Sequence, residues 1–218
     1  MCGRFTLTKS GEEVAEAFGL DEAPSLLPRY NIAPSEPVLV VRQAEPGARR
    51  SGALARWGLV PRVASEGKAL INARAETAAT RGVFKSAFAH GRCLVPADGF
   101  YEWQGPKGSK RQPFHLRLEG GGLFGLAGLV EPGLEAGTWT LAVLTTSPNA
   151  LVGTIHDRMP LIVPAAEYLR WLDPRSTVAM LRPLLGPYPA ARMEGWPVGA
   201  AVNNPRFDDA SCLAPLPT

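Results

Sequence analysis

The chain has 218 residues, 45% hydrophobic and 20% charged, a length and composition expected to make one α+β or similar globular domain over 1–218 with a sizeable core. Its 23 basic and 20 acidic side chains leave a net charge of +3, too little for the whole molecule to attract nucleic acid, so such a partner has to be held by a local patch. Three cysteines without close pairing (Cys2, Cys93, Cys212) exclude a disulfide framework and a short-spaced zinc motif, and no apolar run is long enough to span a bilayer.

In chain order, Gly3-Arg-Phe-Thr-Leu7 alternates and reads as a segment tied into a sheet. Ser10-Gly-Glu-Glu13 has the capping-box form, with Val14, Ala17 and Phe18 behind it and Gly19 after, and predicts a short helix over 11–18. Pro28 to Pro34 reads as a rigid loop. Val38 to Arg42 and Ala53 to Trp57 read as strands joined by a polar hairpin, and Ala73 to Thr80 and Phe84 to Ala89 as short helices. Strands are predicted at Cys93–Pro96, Phe100–Trp103, Phe114–Leu118, Leu123–Val130 and Thr138–Thr145, the last two apolar enough to be buried on both faces. Ala165 to Leu172 and Thr177 to Leu185 suit helices, and Val198 to Val202 a last strand. Many short strands with few helices predict an α+β fold, its sheet curved or barrel-like and mainly antiparallel, with short helices at the periphery.

Cys2 stands out by position. Initiator methionine is generally removed when the next side chain is small, which would leave an α-amine and a thiol on adjacent carbons. Such a 1,2-aminothiol condenses with an aldehyde to a Schiff base and closes it to a five-membered thiazolidine. An α-amine has a reference pKa of roughly 7.7–8.0, so a useful fraction is nucleophilic near neutral pH. The plainer reading is an incidental small residue near a terminus. Asn72, between a hydrophobic run and Arg74 and Glu76, is either a helix cap or an amide aimed into a pocket. Glu102, between Tyr101 and Trp103, is either an outward residue of an alternating strand or a carboxyl kept protonated by apolar neighbours, fit for general acid work. His156, beside Asp157 and Arg158, is a proton-transfer candidate. His90 and His115 have no such setting and read as structural.

Six blocks then coincide in order: Met1-Cys-Gly-Arg-Phe5, Arg29-Tyr-Asn-Ile-Ala-Pro34, Trp57-Gly-Leu-Val-Pro61, Ile71-Asn-Ala-Arg-Ala-Glu-Thr77, Arg92-Cys-Leu-Val-Pro-Ala-Asp-Gly-Phe-Tyr-Glu-Trp103 and Ile155-His-Asp-Arg-Met-Pro160. With them the chain resembles the SRAP family, named for SOS response-associated peptidase. The resemblance implies a sensor of abasic sites in single-stranded DNA that crosslinks to them through Cys2 once Met1 is removed. It assigns Asn72 to holding the opened sugar or the cysteine terminus, Glu102 to protonating the sugar ring oxygen, and His156 to moving protons at the condensing carbon. It places Arg4, Arg74 and Arg158 on phosphates, and Asn31, Pro34, Trp57 and Thr145 along the DNA channel, with Pro34 and Trp57 as wedge and stacking surface. Members often carry a second aromatic after the Trp-Gly-x-x-Pro block. Pro61-Arg-Val-Ala-Ser65 lacks it, which implies a smaller stacking surface.

Two other classes fit the same residues: a cysteine peptidase or autopeptidase that cleaves ahead of Cys2, and a single-strand binding module without chemistry. The expectation is a cytoplasmic monomer, nucleoid-associated on DNA, with no cofactor, metal or membrane partner.

Overall fold

The computed structural model describes residues 2–61, 69–106 and 108–217. The chain opens with strand β1 (Phe5–Leu7), then helix α1 (Gly11–Phe18), β2 (Arg29–Ile32), β3 (Pro37–Gln43), β4 (Arg50–Trp57) and β5 (Asn72–Arg74). Helices α2 (Ala75–Ala78) and α3 (Gly82–His90) follow. Next come β6 (Arg92–Ala97), β7 (Gly99–Gln104), β8 (Gln112–Leu118), β9 (Phe124–Pro132), β10 (Trp139–Thr146), β11 (Met159–Pro160) and β12 (Ile162–Val163). The rest holds α4 (Tyr168–Leu172), α5 (Val178–Leu181), β13 (Met193–Pro197) and several single 3₁₀ turns. The fold is α+β, with mainly antiparallel strands.

Five strands close into a barrel in the order β4, β3, β6, β9, β10. The circle is sealed where β10 meets β4 in parallel (Thr140 opposite Arg56, Leu141 opposite Trp57). Closure removes the free edges that an open sheet would expose. β9 and β10 are almost wholly buried, as expected of strands covered on both faces. A second sheet runs β13, β8, β7, β1, β2. Trp57, Phe5, Phe100 and Leu94 belong to the main core, and Tyr101, Val198, Val202 and Cys212 form a smaller cluster. Cys2, Cys93 and Cys212 are free and buried. Among the described residues no helix is long and apolar enough to cross a membrane.

The capping box at α1 is complete: Ser10 Oγ accepts from the Glu13 N–H (3.2 Å), and Glu13 accepts from the Ser10 N–H (2.8 Å). Three expectations need correction. Pro28 to Pro34 is not a loop throughout, because Arg29–Ile32 forms an edge strand on β1; the prolines flank it, where no ladder N–H is lost. The segment from Ala73 begins as strand β5, paired in parallel with β10, and only Ala75–Ala78 is helical. The last strand is Met193–Pro197 rather than Val198–Val202; Pro197 ends the ladder on β8, and Ala200–Asn203 is a 3₁₀ turn.

Candidate active site

The site begins where the chain start is stitched to β7. Phe5 pairs with Phe100 and Thr6 with Gly99, and the Tyr101 N–H donates to Arg4 O (3.0 Å), which carries the pairing toward Cys2. Asp98 locks this corner by accepting from Thr6 Oγ1 (2.5 Å), the Thr8 N–H (2.7 Å) and Thr8 Oγ1 (2.5 Å). Gly99 is needed there because a Cβ would collide with the His115 ring and Thr6 Oγ1. Alternation along β7 then sends Tyr101 and Trp103 into the smaller cluster, and Glu102 to the other face with Phe100.

Glu102 looks onto a cleft of about 650 Å³ lined by Arg4, Pro34, Arg74, His156 and Arg158, together with Ile71, Trp103, Arg111, Asp157 and Asn203. Those lining arginines make the cleft cationic although the molecule is nearly balanced. Arg158 is fixed by a two-pronged pair with Glu76 (2.6 and 2.8 Å) and by Thr145 O (2.6 Å). Arg4 donates to Asn31 Oδ1 (2.9 Å) and Val202 O (2.6 Å). Pro34 is presented by a strained turn: Ser35 has φ 75° without being glycine, and its N–H donates to Trp57 O (2.7 Å).

Protonation follows from burial. Glu102 is 1% exposed, and burial pushes its carboxyl up to about 7, opposed by the chain-terminal amine and then Arg111, with a small further rise from Asp157. Tyr101 faces away into the smaller cluster and Trp103 lines the cleft beside it, so burial by the fold as a whole, not by the two sequence neighbours, makes Glu102 a weak acid. His156 Nε2 lies 3.8 Å from Glu102 Oε2. Its Nδ1 accepts from the Arg158 N–H (3.0 Å) and also lies 3.0 Å from Asp157 Oδ1. Nδ1 cannot accept a proton bond and carry a proton at once. Burial lowers the His156 pKa and Asp157 is 88% exposed, so the neutral ring with its proton on Nε2, facing Glu102, is the favoured form. The Cys2 thiol is fully buried; burial first, and the Glu102 charge second, hold its pKa well above the ordinary thiol range.

The sequence candidates therefore divide. Arg4, Pro34, Arg74, Glu102, His156 and Arg158 share one cleft. Asn72 does not cap a helix, since Arg74 takes the position before α2. It lies between the cleft-lining Ile71 and Arg74, donates to Val143 O (3.4 Å), and keeps a buried Oδ1 without a hydrogen-bond partner among the described residues. Asn31, Trp57 and Thr145 are in the interior. Asn31 is fully buried and donates to Val202 O, Asn204 O and Phe207 O. Trp57 is fully buried against Phe5 and donates to Ile71 O (2.9 Å), so it has no face to offer a base. Thr145 is buried and donates to Ala73 O (3.4 Å). These three shape the site from behind, which corrects their placement along an open channel. The segment said to lack a second aromatic falls mostly on residues 62–68, outside the described residues.

Trp103, Arg111 and Asn203 line the cleft and were missed. Trp103 was read only as a neighbour of Glu102, Arg111 drew no reading, and Asn203 fell next to a misplaced strand. Trp103 Nε1 donates to Asn203 Oδ1 (2.6 Å), and the Arg4 guanidinium lies over its ring (5.9 Å). Among the described residues, no group of three or more His, Cys, Asp or Glu could hold a metal ion.

The family described as SOS response associated peptidase (SRAP) matches residues 1–205. Abasic site processing protein YoaM of Bacillus subtilis (strain 168) is 37% identical over 98% of this chain and 97% of its own. Abasic site processing protein YedK of Escherichia coli (strain K12) is 30% identical over 99% of this chain and 100% of its own. The crystal structure of a Bacteroides thetaiotaomicron protein superimposes with a TM-score of 0.85 at 22% identity, covering 99% of this chain and 100% of that one, and shows the same fold.

Proposed function

The chain belongs to the SOS response associated peptidase (SRAP) family, and from that premise we propose that it captures abasic sites in single-stranded DNA as a thiazolidine on Cys2. The observation that carries the proposal is a carboxyl pushed up to about 7 by burial, beside His156 and acting on Cys2, at an arginine-lined cleft. The relatives named as abasic site processing proteins support it.

An abasic deoxyribose is mostly a closed hemiacetal. Protonated Glu102 gives its proton to the ring oxygen as the C1′–O4′ bond breaks, and the C1′ hydroxyl proton passes to the Glu102 carboxylate so formed as the aldehyde appears, with the His156 Nε2–H beside it as donor. With Met1 gone, the Cys2 α-amine adds to that aldehyde and water leaves, giving a Schiff base. The Cys2 sulfur then adds to the same carbon, and the thiol proton passes to nitrogen. The sum is aldehyde plus aminothiol giving thiazolidine plus one water. The Asn72 Oδ1, without a partner among the described residues, is a ready acceptor for the amine. A thiol held above its ordinary range is a poor thiolate source, so the amine acts first, which favours this chemistry over a cysteine peptidase. Arg4, Arg74 and Arg158 hold phosphates of the strand. We place this activity in the cytoplasm, carried by a monomer that joins the nucleoid through DNA.

The test incubates the protein with an abasic single strand, or with peptides, and denatures it before electrophoresis. A retarded protein band that Cys2→Ala abolishes is the expected result. Peptide cleavage without any DNA adduct would establish the peptidase instead, and binding without a covalent product the plain binding module.

A further inference from the structure

We infer that Arg111 is a further phosphate-binding cation of the cleft, taking a phosphodiester of the bound strand from the β7–β8 hairpin; the inference rests on the function proposed above. Arg4, Arg74 and Arg158 reach the cleft from the chain start, β5 and the His156 loop, whereas Arg111 lines it from the hairpin.

Its position is fixed from several sides. Gln104 and Gln112 close the ladder as a pair, and Gln112 Nε2 donates to Pro113 O (2.8 Å) and Val198 O (2.9 Å). Gln104 Nε2 donates to Thr154 O (2.8 Å), tying the hairpin to the turn that precedes His156. Gly105, whose φ of 118° favours glycine, lies against the Arg111 stem: a Cβ there would be in ordinary contact, 3.5 Å from Arg111 Cγ. The Arg111 charge is felt by both Glu102 and His156, which puts it at the reacting end of the cleft.

The arginines differ in what they already hold. Arg158 is shared with Glu76 and Thr145, and Arg4 with Asn31 and Val202. The Arg74 and Arg111 side chains make no hydrogen bond or ion pair with any described residue, and of the two it is Arg111 whose charge acts on Glu102 and His156. A phosphate meeting Arg158 has to share it with a carboxylate, whereas Arg111 offers its whole planar fork without breaking a pair. A strand whose sugar lies against Glu102 and His156 carries a phosphate on either side of that sugar, and Arg111 is the cation beside those two groups that has no other occupation.

The test compares wild type, Arg111→Gln and Arg111→Lys for binding an undamaged single-stranded oligonucleotide by fluorescence anisotropy across salt. Arg111→Gln, which keeps most of the stem, should flatten the log–log salt slope by roughly 0.7, the single-strand value for one phosphate. Between fourfold different salt concentrations that is a divergence from wild type of roughly 2.5-fold. Arg111→Lys should restore the wild-type slope. A Gln variant with the wild-type slope overturns the inference, as does loss of affinity shared by Gln and Lys at an unchanged slope, which marks packing. If wild type binds the strand but forms no adduct with an abasic one, the proposed chemistry falls and the slopes still decide Arg111. If wild type binds no single strand, both fall.

Discussion

Replacing Glu102 with Gln should make the protein more stable in alkali while slowing its chemistry. Burial raises the Glu102 carboxyl from an ordinary 4.5 to about 7, so the folded state keeps a proton that the unfolded chain releases. Between those values the folded state binds more protons, and stability must fall as pH rises. The loss begins near the unfolded value and is complete above the folded one. A gap of that size corresponds to roughly 3 kcal/mol. Gln cannot ionise, so Glu102→Gln should match wild type near pH 4 and gain up to roughly 3 kcal/mol over it by pH 8 to 9. The chain-terminal amine, Cys2, His156, Asp157 and Arg111 surround the carboxyl and are present in both proteins. Differences between the two proteins therefore isolate Glu102. Urea unfolding at pH 4, 6, 8 and 9 measures it directly, since midpoints at equal slope report stability alone. A Gln–Glu difference that stays flat across pH would refute a desolvated Glu102. The same substitution should slow adduct formation by roughly 100-fold or more, the scale of general acid assistance.

The two tryptophans near the cleft should separate by assay. Trp57→Ala should cost about 3–5 kcal/mol in denaturant unfolding, as for a large core side chain, because the ring is fully buried. Trp103→Ala, at a partly buried ring, should cost less stability than Trp57→Ala and weaken single-strand binding by about 1–3 kcal/mol, the range for one stacked base; the reverse pattern would return Trp57 to the DNA path. Ser35→Gly should add about 1 kcal/mol in the same unfolding assay by relieving the positive φ, and a loss would show that the Ser35 side chain, not the backbone, holds the turn.

Much of this architecture was legible because its signals are local. The capping box delimited α1 to the residue, and the apolar runs that became β9 and β10 were long enough to report burial on both faces. A barrel-like sheet was expected from the many short strands, but the strands that close it were not legible, since closure depends on β10 lying in parallel beside β4, a pairing of residues far apart in the chain. Edge strands β2 and β13 were hidden by prolines and a glycine that an edge tolerates. At the site, Glu102 was chosen for its aromatic neighbours, yet strand alternation buries Tyr101 in the smaller cluster and leaves Trp103 on the cleft lining. The residue was right for desolvation, and the source of desolvation was tertiary. Motif position also could not tell a side chain that lines a cleft from one that braces it, which is why Asn31, Trp57 and Thr145 were placed with the arginines. Arg111 has the opposite history: a hairpin arginine looks like any solvated charge until Gln104 and Gly105 fix where it points.

The central claim is that Cys2 itself, with its amine and its thiol, becomes bonded to the abasic carbon. Intact mass of the product formed with an abasic single strand tests it most directly. The predicted mass is that of the protein without Met1 plus the oligonucleotide minus one water, unchanged by borohydride because the thiazolidine has no reducible imine. A conjugate that retains Met1, or one that borohydride reduces as readily in wild type as in Cys2→Ser, would contradict the account.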